Sequence, residues 1–126
     1  GGRLAMILAV LEARCGIPFA GLDVYLNVAG GLKISEPAAD LAVAAALLSA
    51  REGTPLAPET VVFGEISLSG ALRPVSQTEN RLKEARKLGF TSAILSEGGK
   101  SAPTGCLTLT RMGQLADLAG ETFGAG

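Results

Sequence analysis

The stretch "GGLKISEPAADLAVAAALLSA", residues 30–50, carries three structural instructions in order. A glycine pair ends the segment before it, and Pro37 suits the first turn of a helix capped by Ser35 or Glu36. The run from there to about Arg51 is apolar nearly all round, the pattern of a buried helix. Upstream, residues 22–28 alternate Leu22, Val24, Leu26 and Val28 with Asp23, Tyr25 and Asn27, which predicts a strand with one face toward a core. Strand, glycine break and buried helix in succession set the class as α/β. The same succession often leads into an active site, because the free N–H groups of a helix tip stabilise negative charge.

Working outward, residues 3–13 predict a helix with Leu4, Ile7, Leu8 and Leu11 on one face, stopped by Gly16-Ile17-Pro18. Beyond a loop containing Pro55 and Pro58, "TVVFGEISLSGALRPV" predicts two short strands joined through Ser69-Gly70. Residues 76–88 predict an amphipathic helix with Leu82, Ala85 and Leu88 inward. Its cations Arg81, Lys83, Arg86 and Lys87 read as a solvated face. "FTSAILSE" and "CLTLTRM" predict further strands, and residues 112–119 a short last helix. The order αβαββαββα gives an α/β (α+β) domain, a mixed sheet covered by helices.

Composition narrows the chemistry. A chain of 126 residues that is 48% hydrophobic and 18% charged is one globular domain, with no internal repeat or low-complexity linker. Four Phe, one Tyr and no Trp leave an aliphatic core and weaken any single-strand binding mode built on stacked rings. The net charge of −1 requires that polyanion binding come from a local cationic patch. The absence of histidine removes Ser-His-Asp and Cys-His catalysis and His-ligated zinc. Cys15 and Cys106 form no metal-binding pattern and fit a reduced, cytoplasmic protein. The apolar run at residues 40–50 is too short to cross a membrane, and Glu12 and Arg14 set the first helix apart from a secretory signal. The Gly-Gly start and glycine-rich end read as the edges of a piece of a longer chain.

Serine and lysine remain as a nucleophile and base. Lys33 and Ser35, two apart in an extended segment, share one side and could form a dyad, though alternation alone produces such pairs. Glu36 and Asp40 share one helix face and could hold a cation, or could be first-turn acids favoured by the helix dipole. No phosphate-loop pattern is present.

"FGEISLSGALRPV" followed by "RLKEARKLGFTSAILSE" resembles the proteolytic domain of the Lon family. In that family a strand of the type T-G-E-I/V-x-L-x-G precedes the helix bearing the catalytic lysine, and the nucleophile lies in D-G-P-S-A-G at a helix tip. Carried over, D-G-P-S-A-G falls on Ser35-Glu36-Pro37-Ala38-Ala39-Asp40 and the lysine position on Glu79, so neither Ala38 nor Glu79 supplies the dyad. "GRLAMILAVLEAR", "DVYLNVAGGLKISEPAADLA" and "VVFGEISLSGALRPV" are together similar to the C-terminal Lon-like domain of the bacterial RadA (Sms) family of DNA-repair proteins.

That resemblance implies the fold of ribosomal protein S5 domain 2 over residues 1–126 and no catalytic residue in this chain. It implies a full-length DNA-dependent ATPase acting in branch migration, with ATP, Mg and Zn held by parts absent from this sequence. Implied partners are single-stranded and branched DNA contacted through the backbone, further copies of the chain in a hexameric ring, and recombination proteins such as RecA, with no membrane. Arg3, Lys33 and Arg73 occupy motif positions and are the expected DNA contacts. The alternative for Arg73 is an ion pair with Glu65 or Glu36, and for Lys33 a pair with an acid, within the chain or between subunits. The alternatives for the chain are a pure oligomerisation module or an active Lon-type Ser-Lys peptidase.

Overall fold

The computed structural model describes residues 2–15, 37–98 and 107–124. The predicted strand 22–28, together with Lys33, Ser35, Glu36 and Cys106, lies outside them.

Helix α1 (Gly2–Cys15) leads the chain. A 3₁₀ turn over Pro37–Ala39 runs directly into α2 (Asp40–Glu52), so the proline starts a helical segment as the sequence predicts. Leu41, Ala44, Ala45, Leu47 and Leu48 of α2 are buried, which is why that helix reads apolar on most sides. Three strands follow: β1 (Thr60–Phe63), β2 (Glu65–Ile66) and β3 (Leu72–Arg73). Helix α3 (Thr78–Lys87), β4 (Ser92–Ser96), β5 (Thr108–Met112) and α4 (Leu115–Asp117) complete the order, with a π turn over Leu118–Thr122 at the end.

Among the described residues, β1, β4 and β5 form a parallel sheet in the order β1-β4-β5, with α3 in the crossover from β1 to β4. The antiparallel pair β2–β3 stands apart from it. The architecture is α/β. Two apolar clusters flank the sheet. One joins Ile7, Val10 and Leu11 of α1 to Leu41 and Leu48 of α2, Ile94 and Met112 of the sheet, and Leu115 and Leu118. The other packs Leu82 of α3 against Phe63, Ala93 and Leu95. Alternating positions along β4 feed the two clusters in turn, as the two-residue period of a strand requires.

Three expectations are corrected. "TVVFGEISLSGALRPV" holds three strands rather than two, because Gly64 leaves the ladder: its N–H donates to the carbonyl of Ala38 at 2.9 Å and its carbonyl accepts from Leu41 N–H at 3.0 Å. The final helix starts at Leu115 rather than Met112, since Met112 pairs with Ser96 in the sheet. Its start is marked by a capping box, in which the Asp117 carboxylate accepts from Gln114 N–H at 3.1 Å. Leu88 is 69% exposed rather than inward. Helix α3 stops at Lys87, and Phe90, whose N–H donates to Ala85 O at 3.0 Å, packs against the second cluster instead. Leu88→Gln is therefore expected to change unfolding free energy by less than about 0.5 kcal/mol in a urea titration, as for other surface substitutions; a loss of several times that would restore Leu88 to the core.

Candidate functional site

The resemblance to a protease directs attention to the tip of α2. Ala38, at the expected nucleophile position, is 5% exposed. Its carbonyl and the Leu41 amide are both taken up by the main chain of Gly64. A β-carbon on Gly64 would stand 3.1 Å from Ser96 Oγ and 3.2 Å from Leu41 Cδ2, so the close approach of helix tip and strand requires glycine there.

Asp40 completes the clamp. It is fully buried, and its carboxylate accepts from Ile66 N–H at 3.0 Å. The acid that could have held a cation with Glu36 therefore serves as a hydrogen-bond acceptor holding β2. Glu36 itself lies outside the described residues, as do Lys33 and Ser35 of the conceivable dyad. Glu79, at the expected lysine position, is exposed in the first turn of α3, 3.4 Å from Lys83 Nζ. The described chemistry of the tip is acceptor and amide, with no nucleophile–base pair.

The expected DNA contacts fare differently from one another. Arg73 is exposed and directly opposite Glu65 in the β2–β3 ladder, which is the geometry its ion-pair alternative requires. Its main chain is fixed, because Ser96 Oγ donates to Arg73 O at 2.6 Å. The turn joining β2 to β3 is closed by Gly70 N–H donating to Ser67 O at 3.0 Å. Gly70 takes φ +88°, a conformation open to glycine. Leu115 N–H donates to Gly70 O and Leu72 N–H to Gly113 O, both at 2.8 Å, so the hairpin is tied at its turn and along its flank. Arg73 is thus a cation on a rigid mount. Arg3 lies in the first turn of α1, and Lys33 lies outside the described residues.

On α3 the four cations separate. Arg81 is half-buried and donates from Nε to Ser76 O at 2.9 Å, a local tie that sequence spacing did not show. Lys83, Arg86 and Lys87 are exposed and line a depression of about 320 Å³. A second hollow, about 560 Å³, runs between α2 and β1 beside Phe90. Its lining includes Ala46, Leu56 and Val61, with the hydroxyls of Ser49 and Thr60 and, among the described residues, no charged side chain.

Burial pushes the Cys15 thiol above its ordinary pKa. Among the described residues, no three His, Cys, Asp or Glu side chains are grouped to hold a metal ion, and no helix is long and apolar enough to cross a membrane.

Comparison with known proteins adds what the geometry does not carry. The chain is 57% identical over 127 residues to the DNA repair protein RadA of Brucella abortus (strain 2308), a match covering all of this chain and 27% of that protein. The RadA of Rickettsia felis is 57% identical over 75% of the chain and 21% of its own length. That of Synechocystis sp. is 48% identical over 90% of the chain and 22% of its length. The chain thus spans about a quarter of the curated relatives it matches. The family model described as subunit ChlI of Mg-chelatase matches residues 5–98, from α1 through β4, and by that match the chain belongs to this family.

Proposed function

We propose that the chain is a non-catalytic, Lon-like scaffold domain of a DNA-repair ATPase, contributing ring assembly and sequence-independent contact with DNA. The observation that carries the reading is the likeness, over 75% to 100% of the chain, to proteins named DNA repair protein RadA. Support comes from the helix tip, where Ala38 replaces the nucleophile and the neighbouring polar groups are committed to Gly64 and Ile66. The exposed guanidinium of Arg73 on its fixed hairpin is suited to a backbone phosphate.

In this reading ATP hydrolysis, with its Mg, and the zinc motif belong to the remaining three quarters or so of a RadA-like protein. The partners are single-stranded and branched DNA, a hexamer of like chains and RecA, in branch migration of recombination intermediates. Arg3 and Lys33 join Arg73 as the phosphate contacts. A pure assembly module is the competing reading.

The test is a salt titration of fluorescent single- and double-stranded DNA binding. The unaltered chain is compared with Lys33→Ala/Arg73→Ala, with folding and oligomeric state checked for both. Alanine is preferred to glutamate at Arg73, since a second acid opposite Glu65 would add cross-strand repulsion of its own. The expected result is salt-sensitive binding that falls at least about tenfold in the double variant, roughly the loss of two phosphate contacts. No binding at low salt with assembly intact would leave ring assembly as the role of the chain.

A further inference from the structure

We infer that the solvent face of α3 is a second contact for the nucleic-acid backbone, formed by Lys83, Arg86 and Lys87. This rests on the nucleic-acid reading above and extends it to residues that the motif comparison did not assign. A molecule of net charge −1 cannot attract a polyanion as a whole, so a cationic surface must be built locally. The depression of about 320 Å³ on α3 is lined by these three side chains. Arg81 does not dilute the group, because its guanidinium is turned back to Ser76 O. Among the described residues, Glu79 at 3.4 Å is the ion-pair partner of Lys83, and that exposed pair is weak enough to be exchanged for a phosphate.

Spacing supports the choice of ligand. Residues three and four apart on a helix are neighbours, and Lys83 to Lys87 spans roughly 6 Å along the axis at the standard rise. Phosphates of one DNA strand advance about 3.4 Å per nucleotide along the duplex, so the trio spans about two phosphate intervals. Arg86 adds a planar fork that fits a phosphate by two hydrogen bonds. The helix dipole favours the two cations of the last turn, Arg86 and Lys87.

The experiment measures DNA affinity against salt for the chain, for Lys83→Ala/Arg86→Ala/Lys87→Ala, and for Lys33→Ala/Arg73→Ala. The α3 triple variant alters exposed positions only, so its fold is expected to persist, and circular dichroism and a urea midpoint check this. The expected result is a log–log salt slope shallower by about 2, the contribution of two released phosphate contacts. An unchanged slope in the triple variant, with binding lost in the Lys33/Arg73 variant, would overturn the α3 contact and leave the wider reading standing. Absence of binding by the unaltered chain at low salt would overturn both.

Discussion

Gly64→Val is expected to destabilise the chain by about 3 kcal/mol or more, from overpacking at a close contact and loss of the backbone bonds that contact permits. The first branch point alone would meet Ser96 Oγ at 3.1 Å and Leu41 Cδ2 at 3.2 Å. Neither neighbour can move freely. Ser96 Oγ is committed to Arg73 O, and Leu41 is fully buried in the main core. The two γ-methyls of valine would therefore push α2 away from the strand, and the bonds from Gly64 N–H to Ala38 O and from Leu41 N–H to Gly64 O would lengthen together. The result to look for is a drop of roughly 10 °C in the thermal midpoint, the shift such a loss produces in a domain of this size.

Gly64→Ala grades the same effect. It is expected to cost about 1 kcal/mol, within the range for inserting a single methyl into a packed core. Its cost should shrink in a Ser96→Ala background, where the Oγ contact is gone. A valine variant as stable as the parent would show that helix tip and strand do not approach as closely as their hydrogen bonds require.

How far these features were legible in the sequence depends on whether the cause was local. Helix α2 could be read because Pro37 and the apolar run are both local signals, and the β2–β3 turn because Ser69-Gly70 is local turn chemistry. The break at Gly64 was not legible. A single glycine in "VVFGEI" looks like an interior strand residue until the carbonyl of Ala38, far away in sequence, is seen to claim its amide. Leu88 misled for a related reason: its spacing continues the inward face of α3, but the helix ends one residue earlier. Met112 fits a helical period as well as a strand, and only its pairing with Ser96 decides.

At the candidate site, the alanine at position 38 is plain in the sequence, whereas the use made of Asp40 could not be read there. A first-turn acid is ordinarily solvated and dipole-favoured, and nothing adjacent in sequence announces a buried partner. The one available hint was its setting, with Ala38, Ala39, Leu41 and Ala42 around it.

Asp40→Ala is accordingly the second substitution with a large expected effect. Removing the carboxylate leaves Ile66 N–H, on a residue 2% exposed, without its acceptor. A buried hydrogen bond to a charged group is worth about 1.5–3 kcal/mol, and its loss here strands the donor away from water. Asp40→Asn keeps an oxygen at the same place and is expected to cost less than half as much. Urea titrations should therefore rank the parent above the asparagine variant and that above alanine, with unchanged m-values if the same surface is exposed on unfolding. Amide exchange gives a local reading, with Ile66 losing protection in the alanine variant before the strands β1 and β4 do. The consequence reaches Arg73, which pairs through β3 with the strand that Asp40 holds. If the acid serves only to favour the helix dipole, alanine and asparagine will cost the same few tenths of a kcal/mol and Ile66 will stay protected. If it is the clamp, an acid in the first turn of α2 is what keeps the hairpin and its cation in place.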